Sequence, residues 1–393
     1  MFMKKRALWR GLTTLFTFIF SLTIIIGVVA ESYKATIDTA LGTLSEKFVS
    51  ENTEDDPLYD KFQPSAEVLN EDGTGNSHAL IQKAIDLNRQ QAAEGAVLLK
   101  NNNADGQGLP LAGNSQVTLF GIRSHVSLLG SSFGVKAQGP YISLEQALTQ
   151  NKTDFKNTIA TLNNNFATGE VTRGATLDSW SGDEFEFEGA GFTVNPVMTA
   201  VYDKLNETYL HSENETPSAE YDPGEPSAAE IKAVNSDYAA SFAEYGDAAI
   251  VVISRPSAES KDYLPGGVVD GLGAEEPLQL TANERDTIEM AKKCSDNVIV
   301  LLNSANAVEI GDLKNDPEID SILWIGFPGC YGMLGVSDIL CGRTSPSGAL
   351  PDIYATYNMS APAMQNMGNF QYENGADMLT RGAGQTGGTT GNY

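Results

Sequence analysis

The sequence predicts an α/β fold, a largely parallel sheet with helices on both faces (an α/β sandwich), preceded by one transmembrane helix. Three observations carry this expectation. Residues 248–253 are apolar throughout, and 298–303 and 319–325 are dominated by apolar residues, as suits strands covered on both faces; a half-exposed strand would alternate with polar residues. Helical patterns at 282–294, near 307–313 and at 332–340 alternate with these runs, and that spacing implies βαβ units. Residues 11–30 carry no charge and follow Lys4, Lys5, Arg6 and Arg10, the pattern of a membrane-targeting segment.

Taken in order, residues 1–10 form a basic cytoplasmic segment and 11–30 a transmembrane anchor. Twenty apolar residues suffice to span a hydrocarbon core of about 30 Å, and the basic flank keeps the N-terminus inside and sends the rest out. Val28, Val29 and Ala30 also offer small residues at a signal-cleavage position, so a secreted form stays open. Residues 31–76 read as an acidic stalk. The sandwich domain runs from 77 to 360. Ser77 caps its first helix, with Leu80, Ala84, Leu87 and Gln91 near one face and Ile81 and Ile85 beside them. The helix passes into a short apolar run within 94–101, and VTLFG at 117–121 is the next strand. A glycine-rich loop at 130–140 leads to a helix capped by Ser143. Residues 151–245 read as an acidic, loop-rich insertion with some helix, and 361–393 as a Gly/Thr-rich linker.

Composition narrows the function classes. A chain of 393 residues with 41% hydrophobic content can bury a large core. A net charge of −26 argues against nucleic acid as a partner, because a phosphate backbone is bound by Lys and Arg. Cys294, Cys330 and Cys341 show no C-x-x-C spacing and read as buried thiols, with one disulfide left open. Four Asn-x-Ser/Thr sites, at Asn151, Asn206, Asn214 and Asn358, would carry glycans only in a eukaryotic host.

The strand at 248–253 is followed at once by charges, in DAAIVVISRPSAESKD at 247–262. The carboxyl ends of parallel strands are where ligands bind, so Arg255, Glu259, Lys261 and Asp262 stand where chemistry is expected. A solvated loop with Glu259 paired to Arg255 or Lys261 is the plain alternative. Other chemistries fit less well. Gly130-Ser131-Ser132-Phe133-Gly134 has the G-x-S-x-G pattern, but a nucleophile elbow must lie directly between strand and helix, and the preceding strand ends about ten residues earlier. No phosphate loop occurs, and the scattered His78, His125 and His211 show no metal-ligand spacing, so neither a cofactor nor a metal is expected. Carboxylate chemistry remains. Glu259, flanked by Ser257, Ala258 and Ser260, is the candidate general acid, with Lys261 and Asp262 near enough to tune it.

The set EGAVLLKN (94–101), LPL (109–111), VTLFG (117–121), DAAIVVISRPSAESKD (247–262), LQLT (278–281), VIVLLNSANAVEI (298–310), ILWIGFPGCYG (322–332) and DILCGRTSPSGALPDIYA (338–355) resembles the α/β-sandwich domain of glycoside hydrolase family 3 over roughly residues 78–360. The closest likeness is to β-glucosidase-like members in which the sandwich precedes the barrel. The resemblance implies a carbohydrate substrate, no cofactor, Glu259 as acid/base, Asp262 matching an acidic residue of that loop, and a place for the 130–140 loop with Ser132 near the sugar site or a domain interface. It also implies that the nucleophile aspartate belongs to a (β/α)₈ barrel. Such a barrel takes about 250 residues, more than the segments outside the sandwich hold, so a separate barrel is the expected partner and the chain alone is expected to be inactive. The loop departs from the family in reading SAESKDY where glycine-rich versions are common. A non-catalytic surface module that binds carbohydrate or protein is the competing expectation.

Overall fold

The computed structural model describes residues 2–33, 77–103, 106–130, 141–149, 153–154, 162–165, 170–173, 184–185, 187–209, 221–257, 263 and 267–360. Two units are present, residues 1–65 and 66–393. In the first, helix α1 (Phe2–Ser32) contains a stretch, Leu8–Val28, long and apolar enough by length and composition to cross a membrane, and none of it is buried. Its Thr13, Thr14, Thr17 and Thr23 hydroxyls donate to the carbonyls of Trp9, Arg10, Thr13 and Ile19, four residues back.

The second unit is built on a six-stranded sheet. Its elements in chain order are α2 (Ser77–Gly95), β1 (Val97–Asn101), β2 (Gln116–Phe120), α3 (Leu144–Thr149), β3 (Thr153–Asp154), β4 (Leu162–Asn165), β5 (Glu170–Arg173), β6 (Glu184–Phe185), β7 (Thr193–Val194), α4 (Pro196–Tyr209), α5 (Ala228–Val234), β8 (Ala248–Arg255), α6 (Ala282–Cys294), β9 (Val298–Ser304), α7 (Gly311–Asn315), β10 (Ser321–Trp324) and α8 (Met333–Leu340). The strand order is β1-β10-β9-β8-β2-β7. Every neighbouring pair is parallel except β1 with β10, so the sheet is mixed, with one antiparallel edge. The short pairs β3–β6 and β4–β5 lie outside it.

Alternation along the strands shows why both faces are covered. On β8, Ala248, Ile250 and Val252 point into one core with Ile85 of α2, Leu148 of α3 and Leu334 of α8. Ala249, Val251 and Ile253 point into a second core with Tyr202 of α4, Ile231 of α5, Ile288 of α6 and Leu313 of α7. All eight residues of β8 are buried, as a central strand with a continuous apolar run requires. The helix boundaries have local causes. Thr281 and Glu284 form a reciprocal capping box at α6, and Ser143 accepts from the Gln146 amide at α3 while Gln146 accepts from the Ser143 amide.

Several expectations change. The buried face of α2 is that of Ile85 and Ala93, not of Leu80 and Leu87, which are exposed. The short helix expected near 307–313 lies at Gly311–Asn315, because the turn at Ser304 and Asn306 continues to the buried Val308, whose amide donates to the Asn306 carbonyl. The 151–245 stretch, read as a loop-rich insertion with some helix, holds the helices α4 and α5 and also supplies β7 to the main sheet and part of the second core. Cys294, Cys330 and Cys341 are free thiols as read, but only Cys294 is buried, and Cys330 and Cys341 are half-buried.

Candidate functional site at the carboxyl edge of the sheet

The loops after β2, β8, β9 and β10 leave the same edge of the sheet, and buried side chains pin their stems to one another. Gly121 ends β2 at φ +88, where a Cβ would meet the Val252 carbonyl of β8 at 2.6 Å, so only glycine lets the chain turn there. Asn303, fully buried at the end of β9, accepts from the Leu128 amide (2.7 Å) and donates to the carbonyls of Leu128 (2.8 Å) and Gly326 (2.7 Å). It thereby ties the stem of the glycine-rich loop to the loop after β10. Asn88 of α2 holds that second loop from its far side, donating to the Pro328 carbonyl and accepting from the Tyr331 amide.

Arg255 ends β8 with no exposed surface. Its five N–H donors go to the Pro277, Ser254 and Gln279 carbonyls and, in a two-pronged pair, to Glu284 at 2.6 and 2.9 Å. Burial works against its charge, but the Glu284 carboxylate more than offsets this and raises its pKa. The guanidinium has no N–H left for a sugar hydroxyl or for Glu259. It fastens the 277–284 segment to the stem of the β8 loop. Glu284 was not legible as its partner, since 29 residues separate the two; the Thr281-x-x-Glu284 pattern signals only the cap.

Beyond Arg255, the Pro256 carbonyl accepts from the Tyr263 hydroxyl (3.0 Å) and the Asn306 side-chain amide (3.1 Å). Tyr263 is buried and meets Tyr221 edge to face, with ring centroids 4.9 Å apart. Tyr221 in turn exchanges backbone hydrogen bonds with Gly267 and Val269. The 257–262 stretch therefore starts and ends on fixed points. Glu259, Lys261 and Asp262 fall within it and lie outside the described residues, as does Ser132.

A second buried carboxyl lies beside the stem of the β2 loop. Glu225 accepts from the Ile122 amide and the Thr287 hydroxyl, both at 2.9 Å. Burial pushes its pKa up to about 8, against the pull of those two hydrogen bonds. Sequence reasoning missed Glu225 because its only local context is the polar stretch before α5. Among the described residues, no cluster of His, Cys, Asp or Glu is arranged to hold a metal.

Residues 96–384 match the glycosyl hydrolase family 3 C-terminal domain. The chain belongs to glycosyl hydrolase family 3. It is similar to beta-glucosidase A of Butyrivibrio fibrisolvens, 28% identical over 292 residues, which are 70% of this chain and 29% of that protein. Probable beta-D-xylosidase 6 of Arabidopsis thaliana is 33% identical over 91 residues, 23% of this chain and 12% of that one. Among solved structures, beta-glucosidase 3B of Thermotoga neapolitana in complex with glucose matches with a TM-score of 0.48 and 22% identity, covering 74% of this chain and 34% of that one. The chain thus spans about a third or less of the length of these family 3 relatives.

Proposed function

We propose that this family 3 chain is the sandwich of an exported, membrane-anchored hydrolase of β-glucosidase type, with a terminal β-linked sugar as substrate and a (β/α)₈ barrel domain working beside it. Glu259 protonates the glycosidic oxygen while a carboxylate nucleophile attacks the anomeric carbon; the Glu259 carboxylate then takes a proton from the water that opens the glycosyl intermediate. On this reading the aspartate nucleophile comes from the barrel, and the sandwich without one gives no turnover. The observation that supports the reading most is that the stems of the 130–140 loop and the Glu259 loop leave one sheet edge from hydrogen-bonded, buried anchors. The names of the relatives, beta-glucosidase and beta-D-xylosidase, point to the substrate class. The apolar α1 stretch, free of charge from residue 11 onward and with its threonine hydroxyls satisfied by its own backbone, supports the anchor.

The test is a fusion of the full chain to the portion of the B. fibrisolvens beta-glucosidase A outside the matched segment. The expected result is hydrolysis of phenyl β-glucoside. In Glu259→Gln, kcat/KM on that substrate drops by about 10²- to 10⁴-fold, whereas 2,4-dinitrophenyl β-glucoside, whose leaving group needs no proton, is little affected. A fusion without turnover, or a Glu259→Gln variant that treats both substrates alike, overturns the proposal.

A further inference from the structure

Two neighbouring amides at the end of β2 take their acceptors from side chains of other elements, and those side chains close a ring. Gly121 donates to the Tyr202 hydroxyl of α4 and Ile122 to the Glu225 carboxyl, each at 2.9 Å. The Thr287 hydroxyl of α6 donates to the other Glu225 oxygen at 2.9 Å and also hydrogen-bonds the Tyr202 phenol. Glu225 is 7% exposed, and Tyr202 and Thr287 are buried as well. Burial raises the pKa of Glu225 to about 8; Glu284 on α6, itself paired with Arg255, adds to the rise, and Arg123 on the β2 stem opposes it. On the α4 side stands the Tyr202 phenol, which burial keeps protonated and on which His125 of the β2 stem stacks, with ring centroids 5.1 Å apart.

The segment that carries Glu225 is a short strap with fixed ends. Tyr221 exchanges backbone hydrogen bonds with Gly267 and Val269, and Ser227 forms a capping box with Glu230 at the start of α5. Between them Gly224 sits at φ +72, and Pro223 and Pro226 have no N–H to donate. The middle of the strap is held by Asn283, which donates to the Glu225 carbonyl, and by the Glu225 carboxyl itself.

We propose that Glu225 is a proton-operated latch on the β2 stem: protonated, it keeps the 222–226 strap closed over Ile122 and Thr287; when it gives its proton to water, the strap turns outward and frees the amides of Gly121 and Ile122. This goes beyond the reading of Glu259 and does not depend on it. An opened Glu225 ionises near pH 4.5 and a closed one near pH 8. The closed form is therefore most favoured below pH 4.5, and the open share grows by up to about tenfold per pH unit until the closed form also ionises.

Hydrogen exchange of the full chain, read by mass spectrometry between pH 6 and 8, tests this. Over residues 119–123, exchange is expected to rise with pH faster than hydroxide catalysis accounts for, by up to about tenfold per unit, the release of one proton. The excess is expected at rates well above those of β9, whose amides report unfolding of the whole domain. Glu225→Gln is expected to abolish it. Tyr202→Phe, which removes the acceptor of the Gly121 amide, is expected to speed exchange of that amide at every pH and to leave the excess slope intact. Exchange over 119–123 that follows hydroxide catalysis alone overturns the proposal. An excess that persists in Glu225→Gln assigns the proton to another group and overturns it too. An excess seen at the same rate in β9 ties Glu225 to global stability alone, and the local latch then fails.

Discussion

Two buried carboxyls near the carboxyl edge, Glu284 and Glu225, are held in opposite ways. Glu284 lies against the Arg255 guanidinium, so its negative charge is matched. Among the described residues Glu225 takes a backbone amide and a threonine hydroxyl as donors, and burial raises its pKa from 4.5 to about 8 although these bonds and the buried Arg123 charge oppose the rise. The unfolded chain gives up this proton near pH 4.5, whereas the folded chain keeps it until about pH 8. Between those values the native state binds the extra proton, so its stability falls as pH rises through the window. A shift of that size corresponds to roughly 5 kcal/mol. Glu225→Gln, which cannot ionise, is expected to flatten the decline, melting within a few degrees of wild type at pH 4.5 and well above it at pH 8. Parallel melting curves of the two proteins from pH 4.5 to 8 would show that Glu225 does not carry the proton. The same pairings show where sequence reading stops at this scale. It picks out Arg255 and Glu259 because a charge after a buried strand is a local signal, but it cannot find Glu284, Tyr263 or Asn306, whose roles exist only once distant segments meet.

Elements were legible where one apolar run or one cap decided them. The 248–253 run became β8, the 282–294 pattern became α6 with unchanged ends, and Ser143 capped α3 as its position suggested. Legibility failed where two readings used the same residues. On α2, Leu80 and Leu87 compete with Ile81 and Ile85 for the inner face, and periodicity alone does not choose. Packing does, because Gly335 of α8 brings its backbone against the Arg89 carbonyl and Ala93 amide, with Ala92 beside it, which turns the Ile85 and Ala93 side inward. Within 187–245 the acids obscured the spacing of Met198, Val201, Tyr202 and Leu205, all buried on α4. The α2 face gives a sharp prediction. Ile85→Ala removes a fully buried side chain and is expected to cost about 2–4 kcal/mol, whereas Leu87→Ser, at an exposed position, should stay within about 0.5 kcal/mol. Denaturant titration of the two variants checks this, and a larger loss for Leu87→Ser would put the wrong face inside. Two glycosylation patterns also close at this scale. The side-chain amide of Asn206 is buried on α4, and that of Asn358 donates to the Ala307 carbonyl, so neither is presented for modification in the folded domain.

At the scale of the whole molecule, charge and apolar surface are separated along the chain. The net charge is −26, yet Lys4, Lys5, Arg6 and Arg10 are gathered at the start, directly before a stretch in which no residue is charged. Such a chain is repelled by an anionic lipid surface through its acidic bulk and drawn to it only through its first residues. Burying a 21-residue apolar helix in lipid outweighs that repulsion by a wide margin, because it removes a fully exposed apolar surface from water. Full-length protein is therefore expected to float with phosphatidylcholine vesicles containing phosphatidylserine in a density gradient and to resist both high salt and alkaline carbonate washes. A variant lacking residues 1–33 is expected to stay at the bottom of the gradient with an unchanged melting transition, since the sheet and both of its cores lie in the second unit. Release of the full-length protein by high salt would reduce α1 to a peripheral contact of its basic residues, and flotation of the shortened variant would place the membrane contact on the sandwich instead.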